Sequence, residues 1–326
     1  MKKATVVVYE EDEFNSMFDA MFGDLHNDPD VYFLVEKEHP QQGLYHYLLS
    51  EKLKKLTFGL NSIFSLSYYS LPRLIADLNK RYDHVSVLMH NACLRKPKYP
   101  LGMFKRLRKK ASFNLLYTDV HERWGVCTHA NYLFENKAFD RVFTIDPSDA
   151  ETYEIELCST PYSYDERYGN IASEKKMYFC GSNSGRIYPL YRIWAEAKKR
   201  NMSVEYDLTG AKDYMEFFEQ DENVRCGGHI SYDEVLKRSL ESSCIIDIVQ
   251  KDQKALTLRP YEAVVYNRKL LTNNRSILDF KYYNSRYMQL FERAEEIDWD
   301  WIAADTEVDY GYQGDYSPRK LLELLE

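Results

Sequence analysis

Long apolar runs are missing where the chain begins: after Met1-Lys2-Lys3 comes only the short stretch 4–9, with no small-residue cleavage site after it. That is far below the length of a secretory leader's core or a membrane span, so the segment is expected to be the first strand of a cytosolic domain. Cysteine is sparse and carries no metal-type spacing. Cys93, Cys127, Cys158, Cys180, Cys226 and Cys244 form no CxxC pair, which argues against a metal site built from them and leaves reduced core thiols as the expectation. Basic charge is not in excess either. A net charge of -8 excludes a general nucleic-acid binder, which is normally basic, so any basic surface must be local. No internal repeat and no low-complexity tract interrupts the chain, and its length has to be explained by ordinary domains.

What is present is 326 residues, long for one compact core and comfortable for two. Tyrosine is the unusual component, with 28 residues and clusters such as Tyr68-Tyr69 and Tyr282-Tyr283. Such rings stack on sugars, but they also pack at the edges of cores, and composition does not choose between the two. Apolar runs bounded by turn residues alternate with segments of helical period, which predicts an α/β fold. In the first half, strands are expected over 5–9, 31–35, 85–90, 113–118 and 141–145, with helices that include 13–22 and 71–81. The polar segment 165–176, with Gly169, is the expected boundary. A second series then restarts: strand 176–180, helix 189–201 with Pro189 in its first turn, strand 203–208 and short strand 223–226. The capping pattern Ser231-Tyr232-Asp233-Glu234 opens the next helix, followed by strand 244–249, a helix from Pro260 and a last buried strand 269–272. The expectation is two Rossmann-like domains facing a cleft, 1–170 and 171–311, with a C-terminal helix in 312–326 packing back on the first.

The stretch 244–274 carries the most chemistry. A buried strand runs to Asp247 and Gln250, and Thr257, Arg259 and Glu262 then gather around a helix start. The N–H groups and partial positive charge of such a start favour phosphate oxygens, and Arg259 adds a bidentate fork for a diphosphate. Glu262 is placed to accept hydrogen bonds from two ribose hydroxyls. Helix starts also carry Thr, Arg and Glu for capping, so the residue types alone leave both readings open.

In order along the chain come Ser231-Tyr232-Asp233-Glu234, Ile245-Ile246-Asp247-Ile248, Gln253, Leu256-Thr257-x-Arg259-x-x-Glu262-Ala263, Lys269-Leu270-Leu271-Thr272-Asn273-Asn274 and Tyr282-Tyr283-Asn284. Their succession closely resembles glycosyltransferases of bacterial capsule and lipopolysaccharide biosynthesis, over roughly residues 113–290, with Ala255 where that family has glycine. The resemblance implies a GT-B fold whose C-terminal domain binds a nucleotide sugar near the Arg-x-x-Glu region. A second match is Phe179-Cys180-Gly181-Ser182-Asn183-Ser184-Gly185-Arg186, in which the glycines admit a ligand close to the backbone and Arg186 brings charge. The expected donor site is therefore Gly181, Ser182, Arg186, Asp247, Gln250, Thr257, Arg259 and Glu262. In the first domain, Tyr117-Thr118-Asp119-Val120-His121 resembles the aromatic-x-Asp element of the same family. An attacking acceptor hydroxyl must lose its proton, and Asp119 is the expected base with His121 and Glu10 behind it; a turn-capping aspartate is the competing reading. Phe143-Thr144-Ile145-Asp146-Pro147-x-Asp149 also fits the family, and fits a structural turn equally well.

The Asp-x-Asp at Asp298-Trp299-Asp300 lies in an acidic stretch away from any strand end, and no metal is expected there. GT-B enzymes usually stabilise the departing diphosphate with helix dipoles and basic side chains, so no cofactor beyond the nucleotide-sugar co-substrate is expected. The basic run Arg95, Lys96, Lys98, Lys105, Arg106, Arg108, Lys109 and Lys110 is interleaved with Leu101, Met103, Phe104 and Leu107. It reads as a surface for an anionic membrane or a polyprenyl-diphosphate acceptor, or as an ordinary solvated helix. The expected function is sugar transfer from a nucleotide-sugar donor to a saccharide or lipid-linked acceptor in surface polysaccharide synthesis. The place is the cytoplasm or the inner membrane face, with no nucleic-acid partner. A catalytically silent subunit that binds a partner enzyme and a nucleotide-sugar epimerase are the alternatives, and an assembly of identical chains is left open.

Overall fold

The computed structural model describes residues 2–9, 15–35, 69–94, 99–118, 128–228, 230–250 and 255–325. The chain divides into two compact units, the first made of Met1–Asn15, Asp24–Pro161 and Pro318–Glu326, the second of Ser16–Gly23 and Tyr162–Ser317.

In the first unit six parallel strands, β1 (Lys3–Tyr9), β2 (Val31–Val35), β3 (His84–His90), β4 (Ser112–Tyr117), β5 (Arg141–Thr144) and β6 (Glu156–Leu157), lie in the order β2-β1-β3-β4-β5-β6. Between them in the chain run helices α1 (Asn15–Phe22), α2 (Ser70–Leu78), α3 (Leu101–Leu107), α4 (Thr128–Glu135) and α5 (Pro147–Tyr153). Parallel strands are covered on both faces and so read as unbroken apolar runs. Val6, Val7 and Val8 are all buried for this reason. Ala4, Val6 and Val8 join Val85, Val87 and Met89 in one core with Leu71, Ile75 and Leu78, whose spacing lines a single face of α2. The same core takes Leu101, Met103, Phe104 and Leu107 of α3, while Lys105, Arg106, Arg108, Lys109 and Lys110 are exposed. The apolar residues among these charges are thus core residues and present no membrane-entering face; Arg95, Lys96 and Lys98 lie outside the described residues. Among the described residues, no helix is long and apolar enough to cross a membrane.

The second unit repeats the plan. Its parallel strands are β7 (Glu174–Ser182), β8 (Ser203–Thr209), β9 (Val224–Gly227), β10 (Ser242–Asp247), β11 (Lys269–Thr272) and β12 (Met288–Leu290), in the order β12-β11-β10-β7-β8-β9. Helices α6 (Ile187–Lys199), α7 (Tyr232–Glu241), α8 (Arg259–Val265) and α9 (Trp299–Ala303) follow in the chain; the last helix, α10 (Pro318–Leu324), belongs to the first unit. Successive side chains of a strand point to opposite faces. Ile246 accordingly joins Leu190, Ile193, Trp194 and Ala197 of α6, whereas its neighbour Ile245 joins Leu236 and Leu240 of α7 and Val264 of α8.

The strand expected to be last, 269–272, is followed by β12, and β6 was not expected at all. Both are too short, at three and two residues, to display a period. The expected cap of α7 forms, with Ser231 Oγ accepting from the Glu234 N–H at 3.3 Å. Cys93, Cys158, Cys180, Cys226 and Cys244 are free thiols, and Cys127 lies outside the described residues.

Candidate functional site

Strand order in the second sheet reverses between β7 and β10, which pair directly. Outside the carboxyl ends of such a pair, the loops leave in opposite directions and open a crevice where ligands of doubly wound sheets bind. The expected donor residues lie at this position. Gly181 and Ser182 end β7, Arg186 closes the loop into α6, Asp247 ends β10, and Arg259 and Glu262 begin α8.

The loop after β7 is a tight turn. Arg186 N–H donates to Asn183 O at 2.5 Å, and the central residues Ser184 and Gly185 have φ of 26° and 78°, a backbone that glycine adopts without strain. Arg186 then reaches across the reversal of strand order. Its Nε donates to Ile248 O, just beyond β10, at 2.6 Å, and its Nη1 to Ser182 O at 3.2 Å and Ser182 Oγ at 3.1 Å. Among the described residues, no side chain caps the start of α6. The first glycine of the motif has a different reason from the one its sequence suggests: a Cβ at Gly181 would stand 2.9 Å from the Phe179 ring, so its bareness accommodates the core.

At the end of β10, Asp247 is only 2% exposed. Its Oδ1 accepts from Thr257 Oγ1 at 2.9 Å and its Oδ2 from Thr272 Oγ1 at 2.8 Å, while Thr257 Oγ1 in turn accepts from the Arg259 N–H at 3.2 Å. Asn273 fastens the same edge by accepting from the Val249 N–H at 2.8 Å. Burial pushes the Asp247 carboxyl above its usual range, opposed by the two threonine hydroxyls and by the charges of Arg259 and Arg186. The charges of both arginines therefore act on this carboxylate from the two sides of the strand reversal. Gln250 follows, half-buried. Because native Asp247 holds its proton to a higher pH than the unfolded chain does, its charge costs stability once the pH rises through that raised value. Asp247→Asn is expected to stabilise the protein at pH 7, with the gain shrinking as pH falls to the unfolded value near 3.9. Thermal melts of both proteins across that range check it; a destabilised variant at pH 7 would contradict the argument.

Glu262 is 0% exposed. Its carboxylate accepts from Arg259 Nη1 at 2.7 and 2.5 Å and from Tyr232 OH at 2.5 Å, and the Tyr232 and Tyr162 hydroxyls lie 3.1 Å apart. Arg259 keeps 15% of its side chain exposed. Burial works against its charge, but Glu262 and Tyr232 hold its pKa above the ordinary range.

Sequence reasoning missed the neighbouring Asp207 cluster, buried on β8, whose carboxylate takes Arg225 Nε at 2.7 Å, Arg238 Nη1 at 2.8 Å and Tyr178 OH at 2.7 Å. The signal was thin: Asp207 is one of two acidic residues, with Glu205, in a seven-residue strand. In the first unit, Asp119, His121 and Glu10 lie outside the described residues. Next to Asp119 in sequence, Thr118 places its Oγ1 2.7 Å from His90 Nε2, at the carboxyl ends of β4 and β3, another pairing that the sequence did not announce. The two aspartates offered as alternatives to chemistry are caps: Asp146 accepts from the Ser148 and Asp149 N–H groups, and Asp298 from that of Trp301.

No family model and no curated protein matches the sequence. Solved structures do match the coordinates. A glycosyltransferase from Rickettsia africae superposes with a TM-score of 0.53 at 10% identity, over 99% of this chain and 98% of that one. A UDP-N-acetylglucosamine 2-epimerase gives 0.53 at 12% identity, over 100% and 96%. TarM gives 0.49 at 14% identity over 77% of this chain, which spans only 57% of that protein's length. At such identities the likeness establishes the architecture: two Rossmann-like units of the GT-B fold.

Proposed function

We propose that this protein is a glycosyltransferase that holds a nucleotide-sugar donor at the carboxyl edge of its second sheet, beside the β7–β10 reversal. One observation carries the reading: Arg186 from the loop after β7 bonds Ile248 O, next to Asp247, and Arg259 from the segment after β10 is tied to the same carboxylate through Thr257, whose hydroxyl accepts the Arg259 N–H and donates to Asp247. Two guanidinium groups from separate loops, next to an uncapped start of a thirteen-residue helix, suit a diphosphate. The fold is shared with proteins named for sugar transfer and nucleotide-sugar epimerisation, which supports the same ligand class.

In the proposed reaction an acceptor hydroxyl oxygen bonds to the anomeric carbon as the bond from that carbon to the diphosphate oxygen breaks. Charge grows on the departing diphosphate, where Arg186 and Arg259 stabilise it, and no metal or further cofactor enters the scheme. The hydroxyl proton passes to a base, assigned to Asp119 with His121 and Glu10 as the other candidates. The acceptor is a saccharide or a lipid-linked sugar of surface polysaccharide synthesis; the exposed Lys105, Arg106, Arg108, Lys109 and Lys110 offer an anionic headgroup a contact of charge alone. The epimerase with an equal TM-score favours a second reading, epimerisation of the nucleotide sugar. Product analysis separates the two: transfer releases nucleoside diphosphate, epimerisation returns an isomeric nucleotide sugar.

A thermal-shift series with nucleoside diphosphates and nucleotide sugars tests the binding step. A ligand at 100 times its Kd is expected to add about 2.7 kcal/mol to the native state. Arg186→Ala is expected to remove most of that shift, and a wild-type protein indifferent to every nucleotide would end the proposal.

A further inference from the structure

Resting on that donor-site reading, we infer that Glu262 is a positioning residue that aims Arg259 at the diphosphate and that it does not grip the ribose. Among the described residues, every side-chain bond of Arg259 leaves from one nitrogen, Nη1, toward Glu262 Oε1 at 2.7 Å, Glu262 Oε2 at 2.5 Å and Ser239 Oγ at 3.5 Å. Among the described residues, Nε and Nη2 donate to no protein acceptor. A planar guanidinium held at one corner keeps its orientation and presents its remaining edge, whose spacing matches two oxygens of a phosphate. Glu262 meanwhile is fully buried, and its Oε1 already takes Tyr232 OH at 2.5 Å as well as Arg259. A ribose diol would have to displace those donors and reach a carboxylate with no solvent-facing surface. The Tyr162 hydroxyl behind Tyr232 extends the same chain, so the carboxylate is held from one side while it holds Arg259 on the other.

The experiment is calorimetry of UDP and of 2′,3′-dideoxy-UDP against wild type, Glu262→Gln and Tyr232→Phe. Glu262→Gln is expected to weaken both nucleotides by the same factor, about tenfold, because the loss falls on the diphosphate contact that they share. Tyr232→Phe is expected to weaken both in the same direction by a smaller factor. A variant that weakens UDP but leaves dideoxy-UDP unchanged would place Glu262 on the ribose and overturn the inference, while the donor site itself would stand. A wild type that binds no nucleoside diphosphate overturns the donor site; where another base binds in place of uracil, the same pair of ribo and dideoxy forms of that nucleotide is used. A readout free of ligand accompanies these: nitrogen-15 NMR of the arginine side chains is expected to show slowly rotating Arg259 Nη groups in wild type and averaged ones in Glu262→Gln. Identical Arg259 signals in the two proteins would refute the positioning role.

Discussion

Arg259→Ala is expected to lower stability by about 3–5 kcal/mol, and nucleoside diphosphate affinity by about 100-fold. The first loss arises because Glu262, at 0% exposure, is left as a buried carboxylate with Tyr232 as its donor. The second arises because the proposed diphosphate contact is gone. Removing both partners separates the two effects, since a buried ion pair replaced by apolar groups of similar size is often near neutral. In Arg259→Met/Glu262→Leu most of the stability should return while the affinity stays low. Urea denaturation at pH 7 reads the former and calorimetry the latter; a double variant that also regains nucleotide binding would remove Arg259 from the donor site.

Asp207→Ala is the other change expected to have a large effect. The carboxylate is buried among Arg225, Arg238 and Tyr178, and its loss leaves three donors facing a void. Arg225 and Arg238 keep 38% and 27% of their side chains in water and can be rehydrated, which puts the cost near the lower end of the range for such pairs, about 3 kcal/mol. Burial works to raise the Asp207 pKa, but the bonds from Arg225, Tyr178 and Arg238 bring it below the ordinary value. A depressed carboxylate contributes stability above its unfolded pKa, near 3.9, and loses it as pH falls through the lower native value. The gap between wild type and Asp207→Ala should therefore be full at pH 7 and narrow below pH ~3.9. Urea melts at pH 7 and pH 3 measure it; an equal gap at both would show that the cost is packing alone.

Much of the architecture was legible because long parallel strands announce themselves. The runs around Val6–Val8 and Ile245–Ile246 are apolar on both faces, and the turn residues on either side end them. The strands Glu156–Leu157 and Met288–Leu290 were not legible, since their membership in a sheet is decided by a neighbour's unpaired edge and not by their own pattern. The donor-side residues could be gathered from sequence because strand ends and helix starts at a reversal of strand order are forced together by topology. Their bonding could not. That Glu262 faces Arg259 three residues back, and that Gly181 is bare for the Phe179 ring, depends on side-chain directions that spacing does not encode. Asp207 was missed because its arginine partners lie eighteen and thirty-one residues away in the chain.

The interleaving of the two units governs how this protein can be taken apart. Helix α1 supplies buried Phe18 and Phe22 to the second unit, where Ala20 O accepts the Ser163 N–H at 2.7 Å, and Arg319 in the tail pairs with Asp28 in the first. A single cut at the 161–162 junction would yield an N-terminal fragment without its closing helix and a C-terminal fragment without an early one. Expression of either half as a contiguous gene segment should give insoluble product, whereas co-expressed halves should complement each other.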